Sequence, residues 1–311
     1  YCFEREGKFK FMTRNNQKWY DKPTTKLILI TIAITWMFPL FGFLLSSFRP
    51  GESIKRTSWW DAIYTGTIWS ELSFDNYVEV FRAENLDRSF YNSLAVTIPS
   101  TIIPITIAAF AAYAFAFMEF KGKDILFLFV VGSMIIPLQM SLIPLVQLFK
   151  DGIEIAGIPI IPALDLNGTF VATWFAHTGF GLPLATFLLR DFMMGLPKSV
   201  IESAKIDGAS HFTTFFKLAL PLSVACIAAF GTFQFLWVYN DFLVANVFLG
   251  IYKPENLVVT SHMSQIVVGR FGEAWHLRTS GAVISIIVPL AVFFGLQRFF
   301  IRGLIGGAVK G

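Results

Sequence analysis

The stretch Glu202–Pro221 reads ESAKIDGASHFTTFFKLALP, a half-polar segment in an otherwise oily chain. Of the 311 residues, 55% are hydrophobic and 15% charged, and the mean hydropathy is +0.61. Soluble domains carry about 25% charged residues, so the deficit points to the bilayer. The 35 phenylalanines agree with that, because Phe enters hydrocarbon cheaply. On either side of the polar stretch stand the apolar runs Thr169–Leu189 and Leu222–Gly250. A helix rising 1.5 Å per residue needs about 20 apolar residues to cross about 30 Å of hydrocarbon.

Further out, four more runs meet that length: Leu27–Phe48, Tyr91–Met118, Ile125–Phe149 and Thr279–Ile301. The expectation is an all-α, polytopic membrane protein with six transmembrane helices. Five of the six runs contain proline, which implies kinked helices whose freed backbone groups are satisfied by neighbours or water. The first run is too long for a cleaved signal peptide and lacks a small-residue cleavage site, so it is expected to remain as a helix.

Orientation follows from lysine and arginine. With the N-terminus inside, the inner segments hold 16 of the 25 basic residues and the outer loops hold 9. That asymmetry puts both termini on the cytoplasmic side. The polar stretch then lies on the inner face, between the fourth and fifth helices. The outer loop Pro50–Phe90 carries Trp59, Trp60 and Trp69, as either an interfacial aromatic belt or a docking surface.

Local chemistry shapes the inner stretch. Pro197 can open a helix, and Val200, Ile201 and Ala204 share one face. Gly208 interrupts, as the residue that tolerates unusual backbone angles. Ser210 can cap a second helix, in which Phe212, Phe215, Phe216 and Ala219 form a stripe. An amphipathic connector lying among headgroups would show the same periodicity. Ala204, Gly208 and Ala209, however, strip the bend of side chains, which suits close approach by another protein surface.

The spacing Glu202-Ser203-Ala204, Gly208, Leu218 and Leu220-Pro221 resembles the EAA loop of binding-protein-dependent ABC importers. Ser203 replaces an alanine of that pattern and Leu218 an isoleucine. The neighbouring IDGAS (Ile206–Ser210), WVYNDF (Trp237–Phe242) and QRFFIRGLIGGAVKG (Gln297–Gly311) resemble the MalG-type permease subunit of carbohydrate importers. SSFRPGESI followed by SWW is most similar to α-glucoside and glucosylglycerol permeases.

The resemblance implies a type I ABC importer permease fold in a bacterial cytoplasmic membrane. Residues 1–26 would form a cytoplasmic segment and 27–311 the permease domain, with a coupling loop over 198–221. That loop would carry a coupling helix seated in a groove of an ATPase, through Glu202, Ser203, Ala204, Asp207, Gly208 and Ala209. Implied partners are a second permease subunit, two ATPase subunits, an extracytoplasmic sugar-binding protein, membrane lipid and the sugar itself.

No phosphate loop of the form GxxxxGK[ST] occurs, so no cofactor is expected on this chain; ATP and magnesium would sit on the partner ATPase. No HExxH occurs, and His177, His211, His262 and His276 lie far apart, which argues against a metal site. Scattered basic residues argue against nucleic acid. Cys2 and Cys226 define no disulfide framework.

Asp241 falls in the fifth run, as either a packed helix-end acid or part of a sugar path with Gln234, Trp237, Tyr239 and Asn240. Gln139, Gln147 and Ser133 in the third run are further path candidates, or partners for neighbouring helices. The alternative function is an ion-coupled secondary carrier of a small polar solute. Such a carrier would usually bury several ionisable groups and show internal repeats. A membrane enzyme would need a catalytic cluster at one surface, and the sequence offers none.

Overall fold

A computed structural model describes residues 22–83, 85–250, 252–268 and 274–308. The expected segment 1–26 therefore lies almost wholly outside the described residues. The principal helices are α1 (Pro23–Ser47), α2 (Leu86–Phe117), α3 (Lys123–Gly132), α4 (Leu138–Asp151), α5 (Phe170–Met194), α6 (Lys198–Ile206), α7 (His211–Thr214), α8 (Val224–Tyr239), α9 (Val259–Val268) and α10 (Trp275–Ala308).

Among the described residues, three helices are long and apolar enough to cross a membrane unbroken: α1, α2 and the Trp275–Gln297 part of α10. Two bent pairs raise the number to five. Lys123–Ile135 meets α4 at 105°, and His211–Leu222 meets α8 at 69°. By length and apolarity the described residues thus show three to five spans, and the expected count of six is not shown. The remaining run is α5, 25 residues long, which is not among those three to five. Its polar side chains Thr173, His177, Thr178 and Thr186 are buried within the bundle, so the helix does not need a purely apolar surface.

The first break has a local cause. Ile136 is extended (φ −71°, ψ 118°), as a residue before proline tends to be, and Pro137 supplies no N–H. The second lies just after Pro221, at Ser223 (φ −93°, ψ 0°). The expected continuous run Leu222–Gly250 also stops at Tyr239, and a second helical segment follows over Leu243–Gly250. Asp241 stands in the gap.

One small sheet departs from the all-α expectation. Strands β1 (Ile153–Ile155) and β2 (Ile158–Ile161) form an antiparallel hairpin pairing Ile155 with Ile158. Ala156 (φ 52°) and Gly157 (φ 81°) turn it, both left-handed as tight hairpin turns require.

The bundle is built on α2 and α5, which pack along each other more extensively than any other pair of helices. Their contact uses small residues: Ala108, Ala109 and Ala112 against Ala185, with Leu189 and Met193 alongside. Small side chains let helix backbones approach where lipid provides no hydrophobic drive. Helix α1 stays peripheral, exposed along most of its length and touching chiefly α10.

Between α1 and α2 the described residues make four short α-helices, the first Gly51–Arg56 and the second Trp59–Tyr64, and a π-helical turn over Glu79–Ala83. Arg49, 1% exposed, holds this segment: Nε donates to Glu71 Oε2 at 2.6 Å, and the other nitrogens donate to Thr57 and the Ser53 carbonyl. Trp59 packs over Gly42 of α1, where any Cβ would collide with the indole. Trp60, Tyr64 and Trp69 remain exposed.

Candidate functional site

Helix α6 ends in a Schellman motif. The Ala209 N–H donates to the Ala204 carbonyl at 2.9 Å and the Gly208 N–H to the Lys205 carbonyl at 3.1 Å. Gly208 sits at φ +77°, the left-handed position that glycine fills without strain, and nothing of this chain lies within 4 Å of where its Cβ would be. Ser210 then caps α7, its hydroxyl accepting from the Thr213 N–H at 3.2 Å. Pro197 takes the cap position of α6 and not its first turn.

The expected stripe Phe212, Phe215, Phe216 and Ala219 is split. Phe215 and Ala219 are buried, while Phe212 is 70% and Phe216 40% exposed. Residues Phe215–Ala219 form a π turn, whose wider winding moves later residues out of 3.6-residue phase. The segment therefore has two faces. Inward, Phe215 stacks on Phe110 of α2 at 4.7 Å between ring centres and meets Tyr113 edge-on at 5.4 Å. Outward, Ile206 is 85% exposed, beside Asp207 and Gly208. Glu202, Lys205, Asp207 and Gly208 are exposed, Ser203 too, and Ala204 and Ala209 half-buried.

The path candidates separate by environment. Gln234 is buried, and its Nε2 donates to the Ser100 carbonyl of α2 at 3.3 Å. It lies across Gly181 of α5, where a Cβ would come within 2.6 Å of the amide. Trp237 is about half exposed beside it. Tyr239 is buried and stacks with Phe235. Asn240 is exposed and bonds the Leu236 carbonyl at 2.8 Å. Gln139, Gln147 and Ser133 are exposed on the bent α3–α4 unit.

Asp241 acts at a helix start. Its Oδ2 accepts from the Ala245 N–H at 3.0 Å, and its carbonyl accepts from the Thr260 hydroxyl at 2.6 Å. The same Oδ2 stands 4.0 Å from His177 Nε2. A lone histidine in an apolar run carries no sequence signal of that neighbour, which only the α5–α8 packing supplies. The other histidines are dispersed: His211 by Tyr113, His262 by Ser89 and His276 beneath Gly51. Burial lowers the pKa of His262 from its ordinary value.

Residues 104–306 match the family described as binding-protein-dependent transport system inner membrane component. The osmoprotective compounds uptake permease protein GgtD of Synechocystis sp. is 44% identical over 298 residues, covering 96% of this chain and 95% of that protein. The alpha-glucoside transport system permease protein AglG of Rhizobium meliloti is 50% identical over 248 residues, 80% of this chain and 63% of the relative. In fold, the chain is similar to a chain of a bacterial ABC transporter involved in the import of the acidic polysaccharide alginate. The TM-score is 0.70 at 16% identity, over 93% of this chain and 99% of that one.

Proposed function

The chain belongs to the family of binding-protein-dependent transport system inner membrane components, and on that premise we propose that it is a permease subunit of an ATP-driven sugar importer. It is a transport subunit, as its relatives are, and no enzyme. The observation that carries the reading is the two-faced segment Lys198–Leu222. One side is locked into the bundle through Phe215, and the other offers Ile206 and Phe212 to a partner. In this reading Glu202, Ser203, Ala204, Asp207, Gly208 and Ala209 meet a cytoplasmic ATPase, which holds the ATP and magnesium. A second permease completes the pathway, and an extracytoplasmic binding protein delivers the sugar. A solved relative of the fold is a transporter in complex with its oligosaccharide-bound periplasmic protein, which supports that partner.

The lysine and arginine balance supports cytoplasmic termini. The substrate class proposed is an α-glucoside or a glucosylglycerol-like osmolyte, from the names of AglG and GgtD. The test is to purify the native complex, weigh it, and reconstitute it with its binding protein and a panel of α-glucosides. The expected result is two permeases with two ATPase subunits, and ATP hydrolysis stimulated by one of the sugars. Uptake without any ATPase, driven by an ion gradient, would overturn the reading in favour of a secondary carrier.

A further inference from the structure

The cleft between α5 and α8 has a chemistry that capping and packing leave unused. It is lined by His177, Phe180 and Gly181 of α5, Gln234 and Trp237 of α8, and Leu138 at the start of α4, around a space of about 10 Å³, room for one water molecule. His177 is 5% exposed, and its Nε2 has no hydrogen-bond partner among the described residues. Asp241 at 4.0 Å is beyond bonding range and already accepts from Ala245. A buried polar atom without a partner calls for one in use. Gln234 is fixed through its Nε2 on Ser100, with its carbonyl oxygen still able to accept. Trp237 sets an indole at the mouth.

At the adjoining α3–α4 break, Ile135 is 83% and Ile136 61% exposed in this chain. Interrupted backbone at membrane depth persists only where protein covers it or it lines a water-filled cavity. The Leu138 side of the cleft therefore opens toward a partner subunit or an aqueous path.

One imidazole nitrogen, one amide and one indole face, with no fixed positive charge, suit hydroxyl groups beside an aliphatic ring face. That room is far below the roughly 300–1,000 Å³ of sites that enclose a whole drug-sized ligand. It admits one hydroxyl group, with the ring that carries it outside, against Trp237. We propose that His177, Gln234 and Trp237 form a hydroxyl-binding subsite for one ring of the sugar in transit, so that this chain itself touches substrate. The subsite rests on the sugar-importer reading above.

The test uses the assembled complex in proteoliposomes with radiolabelled maltose, trehalose and glucosylglycerol. His177→Leu and Trp237→Leu are each expected to raise the apparent KM about fivefold, the worth of one hydrogen bond or ring contact. Complex abundance on a blot should match wild type. Trp237→Phe, which keeps an aromatic face, should restore most of the affinity. Should His177→Leu fail to assemble, the half-exposed Trp237 pair decides alone. An unchanged KM for Trp237→Leu in a fully assembled complex, or a lower maximal rate at unchanged KM, overturns the subsite and leaves the importer intact. A wild-type complex that imports none of the three sugars overturns the α-glucoside reading and the subsite with it.

Discussion

The Tyr113 hydroxyl of α2 lies 3.2 Å from Nδ1 of His211, at the head of α7. With Phe215 stacked on Phe110, it gives the polar segment a rigid grip on a helix that runs the length of the bundle. On the proposed function, a push on the segment would pass to α2, and through α2 to α5.

Phe215→Ala should cut that grip and spare the outward face. Buried Phe→Ala changes cost about 3–5 kcal/mol where the cavity cannot collapse. The expected outcome is an ATPase that still copurifies, with sugar uptake reduced about tenfold or more per ATP hydrolysed, the loss that only 1.4 kcal/mol of lost coupling would give. Normal uptake per ATP would show that the stacking transmits nothing.

Gly208 makes a sharper prediction, because strain and contact separate there. Any side chain at φ +77° costs about 1–2 kcal/mol, yet within this chain it would point into open space. Gly208→Ala should therefore lower ATPase association mildly. Gly208→Leu should abolish association and uptake at normal membrane abundance, because the larger side chain enters the partner's groove. Equal behaviour of the two variants would mean that backbone strain alone matters.

The helix–glycine–helix shape was legible in the sequence because its signals are local: a glycine where a left-handed residue is needed and a serine three residues before Thr213, whose N–H it accepts from. The division of its aromatic stripe was not, since a π turn leaves no periodic mark. Proline marked the third run as kinked but not as broken by 105°, Asn240 and Asp241 did not by themselves mark the helix end at Tyr239, and the Ala156–Gly157 hairpin is too short to show alternation. Gln234 was readable as a polar residue in a span. His177 was not readable as its neighbour, because the two meet only when α5 packs on α8. Arg49 was equally silent, as its acceptors come from three separate turns.

Asp241 should behave as a cap. Asparagine accepts from a helix N–H nearly as well as aspartate, so Asp241→Asn should keep the thermal stability of the detergent-solubilised complex. Asp241→Ala should lose about 1 kcal/mol, the usual worth of a cap. An Asn variant with normal stability and a several-fold poorer sugar affinity would instead assign the carboxylate to the path.

Arg49→Ala should leave Glu71, 17% exposed, without its counter-charge. Removing one member of a buried pair costs about 3–5 kcal/mol. The expected result is rapid cleavage within Gly51–Phe74 by added protease at unchanged helix content. Arg49→Lys should rescue only partly, because an ammonium cannot serve Glu71, Thr57 and Ser53 with a planar fork. Protease resistance equal to wild type in Arg49→Ala would show that the aromatic contacts hold the segment unaided.

The central claim is that the segment Lys198–Leu222 is where an ATPase meets this chain. A photo-crosslinking amino acid in place of Ile206, the most exposed aliphatic side chain of that segment, tests it directly in the native membrane complex. The account predicts a covalent adduct between this chain and the ATPase subunit, its yield changing when ATP is added. Adducts to lipid alone, in a complex that still imports sugar, would contradict it.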